Sequence, residues 1–184
     1  QSLGGIEVLI VDDGSTDDTA GVAAGFANAD HRFTLISLAN NVGLHNARAV
    51  GVRRSRGEFI AFVDSDDYVA RDMYAQLYRA VEESKADIAI CGAVTVNQSG
   101  EQTGRKVHFS QRRLVNDRLL DRFVSLEFGS GVVWNKLYRR ETIYDASTGD
   151  LGERSSGEDY IVNVGAFHAA NSVLLLDRDY YFYR

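Results

Sequence analysis

The chain has 184 residues, of which 45% are hydrophobic and 25% charged, and its formal net charge is −6. These values are typical of one soluble domain that buries roughly 70% of its unfolded surface. The negative charge argues against nucleic acid as a main partner, because a phosphate backbone is bound by a basic surface. No apolar run approaches the ~20 residues of a membrane-spanning helix. The single cysteine, Cys91, cannot form an internal disulfide, so we expect a reducing, cytoplasmic location.

The first predicted strand, residues 7–11, is an apolar run that ends at two carboxylates, Asp12 and Asp13. Gly14 allows a tight turn, and residues 15–18 have the spacing of a capping box at a helix start. The acids inside that helix start are interpreted as partners of the helix dipole. Asp12 and Asp13 lie instead at the end of a strand, where a carboxylate can accept hydrogen bonds from a ribose hydroxyl or a base N–H.

A second strand is predicted at residues 33–36, and a turn at residues 40–43 opens a helix at about residues 44–55. Arg48 lies one turn into that helix. An isolated arginine there is typical of a solvated helix face. Beside a phosphate site, however, its guanidinium could bind an anion through two parallel hydrogen bonds.

The most informative stretch is residues 58–67, where an apolar run meets three carboxylates, Asp64, Asp66 and Asp67. Its apolar part, residues 59–63, predicts a strand buried on both faces of a parallel sheet, with the acids at the ligand-binding edge. At ~4 Å and an effective dielectric of ~20, each pair of like charges costs about 4 kcal/mol. A hard cation would offset that cost, and Mg²⁺ usually binds one or two carboxylates together with substrate phosphates. The alternative is an acidic surface turn.

The later chain contains further regular elements. An apolar stripe predicts a helix at residues 71–84, and residues 88–94 form another buried strand. The alternation of strands and helices up to this point implies a parallel sheet with right-handed crossovers. Beyond it we expect a loop at 97–106, a helix at 111–127, a strand at 132–138, a glycine-rich segment at 149–157, a helix from 158 to about 169, and strands at 173–176 and 180–183.

Two neighbouring acids, Glu158 and Asp159, open the last predicted helix. Taken alone, they are typical of an acidic helix start, because carboxylates stabilise the first turn of a helix. Ser155 also lies at capping-box spacing from Glu158.

A set of short motifs covers nearly the whole chain. They are Val11-Asp12-Asp13-Gly14-Ser15-Thr16-Asp17, Asn41-Val42-Gly43, Ala47-Arg48, Gly57-Glu58-Phe59-Ile60, Asp64-Ser65-Asp66-Asp67, Trp134-Asn135-Lys136-Leu137-Tyr138, Gly157-Glu158-Asp159 and Tyr181-Phe182-Tyr183-Arg184. Each is modest alone, but their order and spacing together are specific. In these motifs the chain resembles the inverting glycosyltransferases of family 2, which have the GT-A fold.

The resemblance implies an α/β fold in which a Rossmann-like, mostly parallel sheet is flanked by helices, with a smaller acceptor-side subregion. The chain would be a single domain, with a nucleotide-sugar-binding part at residues 1–94 and an acceptor-binding and catalytic-base part at residues 95–184. Family members open with a central strand that has no counterpart here. We therefore expect the N-terminal strand to be missing from this chain.

The resemblance also implies where the donor and a metal would bind. Asp12 or Asp13 would contact the nucleotide base or ribose, and Arg48 would lie near the nucleotide. Asp64 and Asp66 would form the family's DxD-type element, with Asp66 as the direct metal ligand. The donor would be a nucleoside-diphosphate sugar, most often a UDP-sugar, bound with Mg²⁺ or Mn²⁺.

For the chemical step, the resemblance implies Asp159 as the general base, with Glu158 as the competing candidate. An acceptor hydroxyl is too weakly acidic to attack at neutral pH unless a positioned carboxylate takes its proton in the transition state. A metal on the diphosphate stabilises the negative charge that develops on this leaving group. One base opposite the leaving group gives a single displacement with inversion.

The implied function is sugar transfer to a glycan, a lipid-linked molecule or a protein, as in cell-surface polysaccharide synthesis. A peripheral association with the inner face of a membrane, through segments outside this chain, is compatible with that function. Two alternatives stay open. One is a sugar-phosphate nucleotidyltransferase, which would need a glycine-rich, lysine-bearing phosphate loop that the chain does not show. The other is a catalytically inactive nucleotide-binding module of the same fold.

Overall fold

The computed structural model describes residues 1–152 and 156–184, so the capping role expected for Ser155 lies outside the described residues. Within these ranges the helices are α1 (Thr19–Ala29), α2 (Leu44–Arg54), α3 (Met73–Ser84), α4 (Leu119–Val124), α5 (Arg140–Thr148) and α6 (Glu158–Ala169). The strands are β1 (Val8–Asp12), β2 (Phe33–Ser37), β3 (Phe59–Ile60), β4 (Tyr68–Val69), β5 (Ile88–Val96), β6 (Gln102–Val107), β7 (Arg113–Val115), β8 (Lys136–Arg139) and β9 (Val173–Tyr183).

The strands form two sheets. β1 and β2 are a parallel pair, in which Val8 lies beside Phe33 and Asp12 beside Ser37. Across the described residues the other strands form a seven-stranded sheet with the main order β3-β8-β5-β9-β4, to which β6 and β7 add at β5 and β9. α2 packs against both β1 and α5, and so connects the small sheet to the helices that flank the large one.

The predicted α/β architecture is confirmed, but the large sheet is mixed and not mostly parallel. β5 and β9 are parallel neighbours, whereas β3, β4, β6, β7 and β8 each pair antiparallel with a neighbour. The difference arises from the second half of the chain. There β6 returns along β5 as a hairpin, and β8 enters between β3 and β5 in the opposite direction.

The apolar run at residues 59–63 is a strand only over β3. Ala61 and Phe62 are half-buried and Val63 is 47% exposed, so the prediction of a five-residue buried strand was wrong. The Phe62 ring instead packs edge-on against Tyr138 at 6.3 Å. Side-chain packing, and not a strand ladder, therefore accounts for the hydrophobic character of this run beyond Ile60.

The capping box expected at residues 15–18 is not formed, because α1 begins at Thr19. The backbone N–H of Ser15 instead donates a hydrogen bond to Oδ1 of Asp12 at 3.1 Å. Residues 15–18 therefore belong to the turn after β1. Within them, Oδ1 of Asp17 accepts a hydrogen bond at 3.0 Å from the backbone N–H of Thr19, the first residue of α1.

Other predictions failed beyond β5. The loop expected at 97–106 contains β6, whose polar residues lie on an exposed strand, and the helix expected at 111–127 is divided between β7 and α4. The strand expected at 132–138 begins only at β8, and the two late strands are one irregular strand, β9. These segments have exposed or irregular faces, so their hydrophobic periodicity is weak.

The core lies around β5, whose residues are almost all buried between α3 and the neighbouring strands. The largest fully buried side chains of the core include those of Trp134, Tyr138 and Tyr181, and one of the set is a lysine, Lys136. Trp134 stacks on Tyr181 with the ring centroids 4.1 Å apart. In the described ranges, none of the helices is both long and apolar enough to cross a membrane.

Candidate active site

Three of the predicted site residues meet at one guanidinium group. Arg48 projects from α2 with its side chain only 15% exposed. Its Nη2 donates to Oδ1 of Asp64 at 2.6 Å, and its Nη1 donates to Oδ1 of Asp159 at 2.5 Å. The same guanidinium lies over the ring of Phe62, 5.9 Å from its centroid. Arg48 thus joins residues 64–67, the acidic turn after β3, to the first turn of α6.

The single positive charge in this cluster faces two carboxylates. Burial disfavours the charged form of Arg48, but the carboxylates of Asp159 and Asp64 outweigh it and raise the pKa of the guanidinium. Burial likewise raises the pKa of Asp64, and the hydrogen-bonded guanidinium opposes that rise. Removal of one partner from a buried ion pair typically costs 3–5 kcal/mol, because it leaves an uncompensated charge. Arg48 is therefore the residue on which both carboxylates depend.

Asp159 is held from two sides and stays partly accessible. It lies in the first turn of α6, and its side chain is 24% exposed. Oδ1 accepts from Arg48, and Oδ2 accepts from the backbone N–H of Val133 at 3.2 Å. A carboxylate offers about four lone-pair sites. Each oxygen of Asp159 therefore retains capacity to accept one more hydrogen bond from a ligand.

The neighbouring acid, Glu158, faces a different environment. Its Oε2 atom is buried and, within the described residues, has no hydrogen-bond partner; the same holds for Oγ of Ser147. Both residues line a cavity of about 10 Å³ beside Arg48 and Asp159. Such a volume can hold about one water molecule. It is too small for a sugar acceptor.

Two carboxylates of the acidic turn, those of Asp64 and Asp67, bind other parts of the protein, and the third, that of Asp66, is exposed to solvent. Asp67 accepts a hydrogen bond from the Tyr181 hydroxyl at 2.8 Å and another from the backbone N–H of Arg184 at 2.8 Å. The N–H of Asp64 donates to the same Tyr181 hydroxyl at 3.3 Å. Asp67 therefore ties the turn to the end of β9. Asp66 is exposed, and its carboxylate bonds to no other part of the described chain.

Asp12 and Asp13 lie at the carboxyl end of β1, as predicted, but there they accept hydrogen bonds from backbone N–H groups of neighbouring turns. Asp12 is 7% exposed and binds the Ser15 amide through one oxygen. Asp13 uses both oxygens, accepting from Val42 N–H at 2.8 Å and Gly43 N–H at 2.9 Å. Asp13 thereby positions the turn that opens α2 and carries Arg48.

Gly14 is required for the same turn. It has a φ of +70°, which favours glycine. A Cβ atom at this position would lie 2.8 Å from the backbone of both Asn40 and Asn41. The chain after β1 and the turn before α2 can therefore approach this closely only with glycine here.

The structure thus brings together some of the predicted site residues and not others. Arg48, Asp64 and Asp159 are in direct contact, and Glu158 lies beside them. Asp12, Asp13 and Asp66 do not touch this group; Asp13 reaches it only through the turn that opens α2.

Sequence reasoning missed two contributors to this site: the Val133 amide and the Tyr181 hydroxyl. A backbone amide leaves no signature in residue type. Tyr181 lies in one of the motifs, but a motif alone does not show which atoms a side chain contacts.

The donor atoms of the acidic turn fit a divalent cation only in company with a ligand. In the described part of the chain, no group of three or more histidine, cysteine, aspartate or glutamate side chains is arranged to hold a metal. Asp66 offers a solvent-exposed carboxylate, and Asp64 offers the oxygen that Arg48 does not bind. One or two carboxylates are what Mg²⁺ usually takes from a protein when substrate phosphates complete its coordination.

Known proteins that are similar to this chain include glycosyltransferases. Two proteins of Bacillus subtilis (strain 168) with glycosyltransferase in their names, EpsH and EpsJ, are 33% and 32% identical over 189 and 186 aligned residues. In both cases the whole of this chain aligns with 54% of the relative. The chain therefore spans about half the length of these curated relatives.

Solved structures of S. aureus TarS share the fold. TarS residues 1–349 in complex with UDP-GlcNAc has a TM-score of 0.78 and 26% identity, covering 96% of this chain and 48% of that one. In Staphylococcus aureus (strain Mu50 / ATCC 700699), TarS is a poly(ribitol-phosphate) beta-N-acetylglucosaminyltransferase; it is 27% identical over 178 residues, 96% of this chain and 30% of TarS. The likeness confirms the predicted GT-A fold.

The family match extends over most of the chain. The model of the family described as Glycosyl transferase family 2 matches residues 1–145, which include the acidic turn, Arg48 and the buried motif around Lys136. Two relatives above 30% identity align with the chain from end to end. The chain belongs to glycosyl transferase family 2.

Proposed function

We propose that the protein containing this chain transfers a sugar from a UDP-sugar to an acceptor hydroxyl, with inversion at the anomeric carbon. The observation that carries this proposal is the cluster in which Arg48 holds Asp159 and Asp64 together. It supplies a positioned carboxylate next to a second acidic element, as the reaction requires. The UDP-GlcNAc complex of TarS makes UDP-N-acetylglucosamine the first donor to test.

Asp159 is the proposed general base. As the acceptor oxygen attacks the anomeric carbon, its proton passes to the Asp159 carboxylate while the bond from that carbon to the diphosphate breaks. Arg48 and the Val133 amide bind one oxygen each, and so fix the carboxylate plane before the acceptor arrives. Such preorganisation avoids reorienting the base in the transition state.

Glu158 is a poorer candidate for the base because of where its side chain points. Its buried Oε2 faces the cavity of about 10 Å³ that it shares with Ser147. That oxygen is buried, so an acceptor hydroxyl has no access to it. The Asp159 side chain is instead a quarter exposed.

On the donor side, we assign the nucleotide contact to Asp12 or Asp13. Each oxygen of Asp13 binds one backbone amide of the turn before α2 and keeps capacity for another hydrogen bond, and one oxygen of Asp12 has no partner in the described residues. Asp66 and Asp64 are the residues that would hold Mg²⁺ or Mn²⁺ together with the diphosphate. When bound, the metal would stabilise the negative charge that develops on the leaving diphosphate.

The experiment uses the full-length protein with UDP-GlcNAc and other UDP-sugars in the presence of Mn²⁺. UDP binding is measured by calorimetry, and transfer by UDP release together with the anomeric configuration of the product. We expect Mn²⁺-dependent UDP binding and an inverted product. Asp66→Asn should weaken the metal-dependent binding. Asp177→Asn, an exposed acid on β9, is the matched control and should leave binding and transfer unchanged.

Three results would contradict the proposal. A retained anomeric configuration would exclude a single displacement by one base. Metal-dependent UDP binding without transfer to any acceptor would indicate an inactive nucleotide-binding module. Equal binding in Asp66→Asn and Asp177→Asn would remove Asp66 from the metal site.

A further inference from the structure

Lys136 is a fully buried cation whose role neither the fold nor the proposed reaction explains. It has no solvent exposure, and no carboxylate in the described chain lies within ion-pair distance of it. Its Nζ donates to the carbonyl of Val132 at 2.5 Å, to Oδ1 of Asn135 at 2.8 Å and to the carbonyl of Ser130 at 3.4 Å. An ammonium group has three donors, and here each has an acceptor.

Asn163, on α6, binds the same part of the backbone, residues 131 and 132. It is also fully buried, and its Nδ2 lies within hydrogen-bond distance of the carbonyls of Gly131 at 2.8 Å, Val132 at 3.1 Å and Asp159 at 3.0 Å. The Tyr138 hydroxyl donates to its Oδ1 at 2.7 Å, which sets the orientation of the amide. Lys136 and Asn163 therefore bind carbonyl groups within residues 130–133, which we call the 130–133 segment.

The 130–133 segment has no strand partner of its own. It packs closely on α6, because a Cβ on Gly131 would lie 2.8 Å from the ring of Tyr160. The N–H of Val133, at its end, donates to Oδ2 of Asp159. With the carbonyls held inward by buried side chains, this N–H is directed at the carboxylate.

We propose that Lys136 and Asn163 are positioning residues, which hold the 130–133 segment so that the Val133 amide orients the Asp159 carboxylate. This inference rests on the proposed function, because orientation of Asp159 matters to the reaction only if Asp159 is the base. Neither side chain touches substrate in this account. Both act through the segment.

The cost of burying Lys136 supports a role beyond packing. Burial lowers the pKa of this lysine to about 7, so its charged form is disfavoured in the core. Replacement of buried charges by apolar side chains of similar volume is often neutral or stabilising. A lysine at this position is better explained by the three carbonyl-type acceptors that it holds than by stability.

The test compares Lys136→Met and Tyr138→Phe with a core truncation elsewhere, Val81→Ala on α3, in the full-length protein. Val81 is fully buried and makes none of the hydrogen bonds that hold the 130–133 segment. We expect Lys136→Met to lower kcat by about 10- to 100-fold, the scale of a misplaced catalytic group, with KM for the UDP-sugar changed less than about twofold. Tyr138→Phe, which keeps the ring, should lower kcat by a smaller factor. Val81→Ala should leave kcat per folded molecule unchanged.

A second measurement does not depend on catalysis. Amide hydrogen exchange at Val133 should accelerate in Lys136→Met and in Tyr138→Phe relative to wild type, but not in Val81→Ala. If Lys136→Met does not fold, kcat and amide exchange at Val133 in Tyr138→Phe test the inference. Unchanged exchange at Val133 and unchanged kcat in the folded variants would overturn the inference. If wild type transfers no sugar and exchange still accelerates, the hold on Val133 stands and the proposed function fails.

Discussion

Two cations near Asp159, the half-buried Arg48 and the fully buried Lys136, are stabilised in opposite ways. Arg48 lies between two carboxylates, which raise the pKa of its guanidinium against the effect of burial. Lys136 lies among neutral acceptors alone, and burial lowers its pKa to about 7. Arg48 pairs with two carboxylates, whereas Lys136 binds backbone carbonyl groups. The comparison shows that a cation near a reactive carboxylate can serve either its electrostatics or its geometry.

The largest effect should come from Arg48→Met. Without the guanidinium, Asp64 and Asp159 lose their shared partner, and we expect a loss of about 3–5 kcal/mol in the free energy of unfolding, measured by urea denaturation. Transfer should fall with it. Arg54→Met, at an exposed position on the same helix, should change stability by less than about 0.5 kcal/mol. Equal stability of the two variants would show that the ion pairs are not a stabilising feature.

A smaller effect is expected for Arg48→Lys, which keeps the charge and removes the planar fork. One ammonium group cannot reproduce two donors aimed at carboxylates on different elements. The variant should lose about 2 kcal/mol, the scale of one hydrogen bond to a charged group. Urea denaturation beside Arg48→Met separates charge from geometry. A lysine variant as stable as wild type would mean that charge alone suffices at this position.

The pH dependence of stability should distinguish Lys136 from Arg48. Between a pKa of about 7 in the folded protein and ~10.4 in the unfolded chain, the unfolded chain binds the proton of Lys136 and the folded protein does not. Stability therefore rises with pH in this window. Below it both states are protonated, and the cost of the buried charge is fully present.

Between about pH 7 and 8.5 we expect wild type to gain about 1.5 kcal/mol in unfolding free energy relative to Lys136→Met. Urea denaturation of both proteins at each pH gives the difference. Parallel pH profiles for the two proteins would show that Lys136 keeps an ordinary pKa in the fold.

The smallest effect is expected for Ser147→Ala, beside Arg48 but bonded to neither cation. The Ser147 hydroxyl is buried without a partner in the described residues, so its removal leaves no acceptor or donor unpaired. The unfolding free energy should change by less than about 0.5 kcal/mol. A loss above about 1 kcal/mol would instead show that the hydroxyl binds a water in the cavity beside Glu158.

Regular elements with strong hydrophobic patterns could be predicted from the sequence. The bounds of α2, α3, α6 and β5 lie within two residues of their predicted positions. The prediction of a strand at residues 59–63 was too long. Phe62 lies outside the sheet, and its apolar ring packs against Tyr138. β7 lies within the helix predicted at residues 111–127, because three residues are too few to show the alternating hydrophobicity of a strand.

The candidate site could be predicted in part, through its charged side chains. Arg48, Asp64 and Asp159 were all identified in the sequence, and they do meet. Their mutual contacts could not be foreseen, because Arg48 and Asp159 are 111 positions apart. The hydrogen bonds from Lys136 and Asn163 to backbone carbonyls could not be predicted either, because every residue carries the same main-chain acceptor.

The most direct test of the account compares single-turnover transfer by Asp159→Asn and Glu158→Gln, at saturating UDP-sugar, with UDP affinity measured for each. If Asp159 is the base, its asparagine variant should bind UDP normally and transfer at least about 100-fold more slowly, while Glu158→Gln stays within a few-fold of wild type. Transfer by Asp159→Asn at the wild-type rate, or a larger loss in Glu158→Gln, would contradict it.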